Sequence, residues 1–597
     1  MDHNTGSAER LSATTEPRGL ARSVLARARR TPAATAVVDG DQVLDYAALD
    51  AASAAVAAAL RDRGVRPRQA VAVCLPRSWQ LVCVMLGILR VGAVVVPLDV
   101  QSPPGRRRHI LEDSASTVLV HGGSAPAELP SFITPLAAGE LLREGPATGG
   151  EPAAPADAPV SFLFYTSGTT GRPKGVEVRD AGILRLARPG YLALDEGARY
   201  SCLSNPAFDA LSFEVWVPLL TGGCCVILDD ETVQTPHRLA EALLRERVDT
   251  VWVTVALFNA VVGEEPACFA GARQVLVGGE QLNARLITRW YRHNASSSTR
   301  LHNVYGPTET TTFALCHPVP RAFDGDVVPI GRPLPDTGAV LVADGSRAAA
   351  PGEVAELYLS GDGLAAGYRN LPDETERRFV HLPWLDGGQV RHYRTGDLVR
   401  QDGSGLVVYV GRADRQVKVR GFRIEPGELE RHLVAHRAVR QAYVCTRRDA
   451  ELGTNELLAY VVPGAELSYE DVDRHLAAGL PPYMRPHRIH RVEALPLNAN
   501  GKVDQGALLA RDDEPWRPTA TAGASATAWE REVLDLAGRI LGVPELRPDD
   551  RWIPHGGDSL KALRLRFEVR RLWGRELAAS VVLRSTFAEL AAAIAPG

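Results

Sequence analysis

Lysine is nearly missing from this sequence of 597 residues: of 67 basic residues only four are lysines, Lys174, Lys418, Lys502 and Lys561. Coding bias explains a preference for arginine, but not where the lysines stayed. An excess of either charge is missing too, since 67 basic against 71 acidic residues leaves a net charge of −4. That removes the basic footprint expected of a nucleic-acid binder or of a protein held on an anionic membrane. The eight cysteines include no C-x-x-C pair, although Cys224 and Cys225 are adjacent. This argues against a disulfide framework or a structural zinc site and suits a reducing cytoplasm. No apolar run is long enough to span a bilayer, and the first twenty residues lack the apolar centre of a signal peptide. A cytoplasmic protein is expected, with a disordered tail before Arg18.

What is present is ordinary for a globular enzyme: 45% hydrophobic and 23% charged residues, over a length worth about four domains. From Leu44 the apolar pattern predicts a helix over 51–63 stopped by Gly64, a strand at 70–75, a buried helix at 79–91 ending at Gly92, and a strand at 93–98. Such βα repeats predict an α/β fold with parallel sheets covered by helices. Residues 126–159, rich in Ala, Pro and Gly, are expected to form an irregular surface excursion. A helix at 237–247 and strands at 249–255, 273–277 and 300–304 follow. Polar, glycine-rich motifs stand just past successive strands, where open α/β sheets bind ligands. After Pro329 the segments become shorter and β-rich. Near Asp414 a compact α+β stretch begins and runs to Ala510. A Pro/Thr/Ala/Gly linker, 511–526, then leads to an all-helical module with helices at 529–541, 559–573 and 587–594.

The densest motif is 164–176, F-Y-T-S-G-T-T-G-R-P-K-G-V. It packs four Ser/Thr hydroxyls, three glycines and Lys174 into one loop. Glycines let backbone N–H groups face an anion, hydroxyls add donors, and lysine supplies a point charge. It is not a Walker P-loop, because Gly171 is followed by Arg-Pro-Lys-Gly. It resembles the phosphate loop of adenylate-forming enzymes: acyl-CoA ligases, luciferases and adenylation domains of nonribosomal peptide synthetases. Y-G-P-T-E (305–309), Y-R-T-G-D (393–397), G-R-A-D-R-Q-V-K-V-R-G (411–421) and N-G-K (500–502) follow in that family's order. Residues 21–510 therefore resemble an adenylation domain of nonribosomal peptide synthetase type, divided into a large core at 21–413 and a small lid at 414–510.

The resemblance implies a set of roles that physical need supports. Activating a carboxylate with ATP joins two anions, so a cation must lie between them and a metal on the phosphates. Lys502 would bridge the carboxylate and the α-phosphate, and Glu309 would help to hold Mg²⁺, which prefers oxygen ligands. Thr166, Ser167, Gly168, Thr169, Thr170 and Lys174 would grip the departing phosphates. Gly279, Glu280, Asn303, Tyr305, Gly306 and Thr308 would surround the nucleotide, with Tyr305 on adenine. Asp397 would accept the ribose hydroxyls, with Arg412 beside it. Asp414 would be the hinge about which the lid turns, bringing Lys418 and Gly421 in for thiol transfer. Asp209 would pair with an α-ammonium at the head of a pocket built by Ala210, Phe213, Trp252, Leu276, Gly278, Val304, Thr312 and Phe313. A pocket with no charge and only the Thr312 hydroxyl rejects ionised side chains. It resembles pockets that take valine, with isoleucine and 2-aminobutyrate as neighbours, and Gly278 would leave a modest hollow.

In the helical module (527–597), H-G-G-D-S-L (555–560) puts Ser559 at a helix start. There it is either an N-cap or, as the motif's resemblance to peptidyl carrier proteins implies, the attachment residue for 4′-phosphopantetheine. Ile553-Pro554-His555 departs from that family's usual aromatic-x-Leu, and Ala366 stands where the adenylation family usually has Arg. The implied cofactors are ATP, Mg²⁺ and 4′-phosphopantetheine on Ser559. The implied partners are a valine-like amino acid, a phosphopantetheinyl transferase and downstream condensation or tailoring enzymes, with a small MbtH-like protein as a further candidate; neither nucleic acid nor membrane is among them. Two rival readings stand beside this one. An acyl- or aryl-CoA ligase is opposed by Asp209 and the carrier module. A non-catalytic scaffold presenting the carrier is opposed by Lys502, Glu309 and Asp397.

Overall fold

The helix expected at 51–63 begins earlier, as Tyr46–Asp62, because the Asp45 side chain accepts from the Ala48 amide and caps it. The next helix, Trp79–Val91, starts on Ser78 and stops at Gly92, whose φ of 79° is left-handed. The two helices pack closely at Gly87, where a Cβ would lie 2.5 Å from Val56 Cγ1. The structure, a computed structural model, describes residues 19–143, 159–168, 171–323, 325–448, 454–498, 501–511, 514–518, 526–543 and 545–595. The tail before Arg18, Thr169, Thr170 and most of the 511–526 linker lie outside the described residues.

Those helices cover a six-stranded sheet in the order Thr134–Ala137, Val118–His121, Ala70–Cys74, Val94–Pro97, Val160–Thr166, Lys174–Arg179. It is parallel until its last pair, where Thr166 lies opposite Lys174 across an antiparallel turn. The expected excursion over 126–159 is corrected in part. Thr134–Ala137 is the edge strand of this sheet and Ala138–Leu141 a short helix, while 144–158 lie outside the described residues. An edge strand of four residues containing a proline has too little periodicity to declare itself in sequence.

The second sheet has nine strands with a parallel centre. Its strands Thr250–Thr254, Gln274–Gly278 and Arg300–Tyr305 run side by side, so the segments after them emerge at one edge. The β-rich region after Pro329 forms a third, antiparallel sheet built on Ala355–Gly361, Arg391–Gln401 and Val407–Arg412. Beyond it the small domain pairs a hairpin, Val417–Val419 with Phe422–Ile424, and a three-stranded sheet around one core from Val419 to Ile489.

The final module has its own core from Val533 to Ile594. Helices Ala528–Leu541, Ser559–Trp573 and Phe587–Ala593 match the expected three, and Ala579–Arg584 is a fourth too short to read from periodicity. The α/β class with a small lid and a helical module is therefore as expected. Among the described residues, no helix is long and apolar enough to cross a membrane. All eight cysteines are buried and unpaired.

Candidate active site

The phosphate-type loop connects the last two strands of the first sheet. Gly168 is obligatory there, since a Cβ would lie 2.1 Å from the Arg172 carbonyl oxygen. Thr166 Oγ1 and Lys174 Nζ are buried and make no hydrogen bond. Lys174 Nζ stands 4.0 Å over the Tyr368 ring and 3.7 Å from Glu309. Burial pushes the Lys174 ammonium down to about 8, against the pull of Glu309. A buried donor and a buried ammonium without hydrogen-bond acceptors call for an anion, and phosphate oxygens fit them.

Glu309 lies on the turn after Arg300–Tyr305 and is fully buried. It accepts from the Tyr368 hydroxyl at 2.6 Å and pairs with Arg423 at 2.7 Å. Burial alone would raise its pKa, but Arg423, Lys174 and the Tyr368 hydroxyl hold it below the usual carboxylate range. It is thus a permanent oxygen donor. Among the described residues, no group of three or more His, Cys, Asp or Glu is placed to hold a metal alone. A magnesium ion here would complete its shell from phosphate and water, as that ion commonly does.

Asp397, buried in the third sheet, accepts from the Tyr305 hydroxyl and pairs with Arg412 at 2.5 Å. Both carboxylate oxygens are thereby engaged, and the Tyr305 ring faces Lys418 Nζ at 5.4 Å. Arg412 also grips Asp414 through two bonds, of 2.7 and 3.0 Å. Burial lowers the Lys418 pKa, with Asp397 opposing. The Gly421 amide donates to Glu280 at 2.7 Å, and burial lifts Glu280 to about 7. Gly279 and Gly421 meet back to back, a Cβ on Gly279 falling 3.1 Å from Gly421 Cα. Asn303, on the strand beside Gly278, donates to the Pro329 carbonyl.

Lys502 is elsewhere. It is exposed in the small domain beside the Leu497–Val503 bridge, its amide bonded to Asn498. The structure therefore brings Lys174, Glu309, Asp397, Arg412, Lys418 and Gly421 to one cleft and leaves Lys502 outside it. The hairpin that carries Lys418 also carries Arg423, which reaches Glu309 in the cleft.

Asp209 stands at the rim of an apolar cluster formed by Phe213, Leu276, Val304 and Phe313, with Trp252 packed against it. Phe213 and Phe313 are 5.1 Å apart and Trp252 and Phe313 6.2 Å apart, centroid to centroid. The Thr312 hydroxyl donates to the Asp209 carbonyl at 2.7 Å. Burial raises Asp209 to about 6, with Thr308 opposing. Two details differ from expectation. Gly278 opens no hollow, because a Cβ there would meet the Val304 carbonyl oxygen at 2.5 Å. The Trp252 indole N–H is a buried donor without a partner, so the pocket wall has more polarity than Thr312 alone. Ala210 is buried beside Asp209.

In the helical module Asp558, not Ser559, is the N-cap of Ser559–Trp573; its side chain accepts from the amides of Leu560 and Lys561. Ser559 is exposed. Its hydroxyl is therefore spared for other chemistry, and the capping reading falls away. A serine at that place fits a phosphodiester-linked arm.

Several site residues escaped sequence reasoning. Arg423 and Tyr368 hold Glu309. Glu428 receives the Gly168 amide at 3.1 Å and is paired to Arg106 at 3.0 Å. Arg423 lies two residues past the 411–421 motif, and only its reach of 114 residues to Glu309 could have singled it out.

Residues 24–369 match the model of the AMP-binding enzyme family, 428–502 that of the AMP-binding enzyme C-terminal domain, and 531–594 that of the phosphopantetheine attachment site. The chain is 37% identical over 558 residues to malpibaldin synthetase of Mortierella alpina, covering 91% of this chain and 10% of that one. It is 35% identical over 556 residues to a dimodular nonribosomal peptide synthase of Bacillus subtilis, covering 92% of this chain and 23% of that one. It thus spans a tenth to a quarter of the length of these curated relatives. Among solved structures it is similar to holo-PA1221, an NRPS protein containing adenylation and PCP domains bound to a vinylsulfonamide inhibitor. The TM-score there is 0.83 at 30% identity, with 96% of each chain covered.

Proposed function

The chain belongs to the AMP-binding enzyme family, with a phosphopantetheine attachment module behind the adenylate-forming part, and from this premise we propose that it activates a valine-like amino acid and loads it onto its own carrier. The reaction forms an aminoacyl-AMP with release of pyrophosphate, and then a thioester. The family uses ATP with Mg²⁺, and the attachment module carries 4′-phosphopantetheine on a serine. We take the units as 21–413, 414–510 and 527–597, joined by 511–526. A phosphopantetheinyl transferase and downstream condensation or tailoring enzymes would act on Ser559, and a small MbtH-like protein remains a candidate partner.

In the first step the unbonded Thr166 hydroxyl and the Lys174 ammonium, which stands near Glu309 and Glu374, would receive the phosphates. Lys174 retains its proton below about pH 8. Glu309 would hold Mg²⁺, which neutralises charge on those phosphates. Asp397 exchanges its Tyr305 and Arg412 partners for ribose hydroxyls, and Lys502 turns in to join carboxylate and α-phosphate. We read the orientation with Lys418 and Gly421 inward as the one suited to the second step. Arg423, paired with Glu309, would neutralise that carboxylate once the metal had left with pyrophosphate.

The observation that carries the substrate reading is Asp209, a half-buried residue tied through Thr312 to the rim of an aromatic and aliphatic wall, with its carboxyl pKa raised by burial. It suits an α-ammonium above an uncharged side chain. With Gly278 closed by Val304, the space is smaller than a glycine there suggests, which favours valine and 2-aminobutyrate over isoleucine. One methylene in such a wall is worth only about 1–3 kcal/mol, so neighbouring aliphatics should leak through. Pyrophosphate exchange with the amino acids and with aryl acids in parallel tests this. Valine or a neighbour should lead; preference for an aryl acid or for an aromatic or charged amino acid would overturn it.

A further inference from the structure

Three of the four lysines belong to the motifs of the active site; the fourth, Lys561, lies two residues after Ser559 and is buried. What buries it is the small domain. Lys561 Nζ donates to Glu456 Oε1 at 2.8 Å across the seam and to the Gly556 carbonyl of its own module at 3.2 Å. On the other flank of Ser559 the polarity is reversed: Asp558 of the carrier pairs with Arg420 of the small domain. Between these pairs the contact is close and neutral. The Tyr469 hydroxyl donates to the Pro554 carbonyl at 3.1 Å, and Gly556 backs onto His487, where a Cβ would lie 2.9 Å from the carbonyl oxygen. Pro554, in the stretch unusual in sequence, is therefore part of this seam.

Burial alone would raise the Glu456 pKa; Lys561 is the strongest of the cations that hold it down, and the small domain supplies two more. Arg447 lies 3.1 Å and Arg488 3.6 Å from it, both on the small domain. Without Glu456, however, Lys561 would be buried against those two guanidinium groups. The pair is thus asymmetric: losing the lysine leaves the glutamate served, whereas losing the glutamate strands a cation among cations. Asp558 is committed elsewhere as the helix cap, so the cation at 561 is the freer variable by which one carrier is told from another.

We propose that Glu456 and Lys561 form the recognition pair through which the small domain accepts this chain's own carrier, a partner marked by a cation two residues past its attachment serine. Both act by positioning Ser559 at the cleft; neither touches the reacting atoms. The inference rests on the loading reaction proposed above.

The test is a double-mutant cycle in the full-length holo chain: Glu456→Gln, Lys561→Met and the two together. Single-turnover thioester formation on Ser559 is read beside pyrophosphate exchange and pantetheine uptake. Loading should fall roughly thirtyfold in Glu456→Gln, about fivefold in Lys561→Met, and about fivefold in the double variant, so that the second change rescues the first. Exchange and pantetheine uptake should stay within about twofold throughout, because neither uses this seam. Unchanged loading in Glu456→Gln, defects that multiply, or an equal fall in exchange would each overturn the pair. Exchange and uptake in the unmodified chain read the functional assignment itself, and the ratios between variants read the recognition pair.

Discussion

Lys418 and Lys502 sit on the same small domain, yet one is turned into the cleft and the other into water. Lys418 approaches Tyr305 and feels Asp397 and Glu280, whereas Lys502 is exposed near a turn held by Asn498. Lys418 is on the strand Val417–Val419 and Lys502 stands beside the Leu497–Val503 bridge, while the Arg412–Asp414 clasp lies at the end of the strand Val407–Arg412. The difference teaches that a single cleft can serve two reactions if only one lysine is admitted at a time. Charge makes the exclusion effective. The hairpin of Lys418 also delivers Arg423 to Glu309, and a further cation in that buried space would be costly.

The comparison can be broken first at its acceptor. Ser559→Ala should abolish pantetheine uptake and thioester formation while pyrophosphate exchange continues; mass spectrometry of the intact protein reads both the arm and the thioester. Next, Lys502→Ala should lower amino-acid-dependent exchange by roughly a thousandfold, as when a preorganised charge is withdrawn. Loading from a preformed aminoacyl-AMP should stay within about twofold, since Lys502 is outside the cleft in this orientation. The converse is smaller: Lys418→Ala should keep exchange within about threefold and slow loading roughly tenfold in single turnover. A Lys418 variant that lost exchange and kept loading would invert the assignment of the two faces.

The smallest effect is in pH. Burial raises Asp209 to about 6. Between about pH 4 and 6 the folded protein holds a proton that the unfolded chain has lost, so this group's stabilisation is present at low pH and is lost as pH rises through 6. Binding has the opposite sign, because an ammonium needs the carboxylate. The apparent KM for the amino acid should rise about fourfold from pH 7 to 5.5, following the fraction ionised. Asp209→Asn should raise KM and flatten that profile.

The sequence was most legible where one motif sits on one element. The phosphate loop, the strands ending at Gly278 and Tyr305, and the helix opening at Ser559 all stand within a residue or two of their expected places. It was least legible where a residue's meaning depends on distant chain. Arg423 and Glu309, or Lys561 and Glu456, are 114 and 105 residues apart, and no local pattern links them. Gly278 misled because a missing side chain reads the same in sequence whether it opens a hollow or admits the neighbouring Val304 carbonyl. Ser559 was ambiguous because both Ser and Asp cap helices; the structure gives the cap to Asp558. Which lysine faces the cleft is a property of lid orientation, and a one-dimensional motif order carries no trace of it.

The most direct measurement is mass spectrometry of the full-length holo chain after incubation with ATP, Mg²⁺ and an equimolar mixture of amino acids. One hydroxylamine-labile adduct of valine, or of a neighbouring aliphatic, on the Ser559 peptide is the expected result. An adduct of an aromatic or charged amino acid, or exchange activity with no adduct on Ser559, would contradict it.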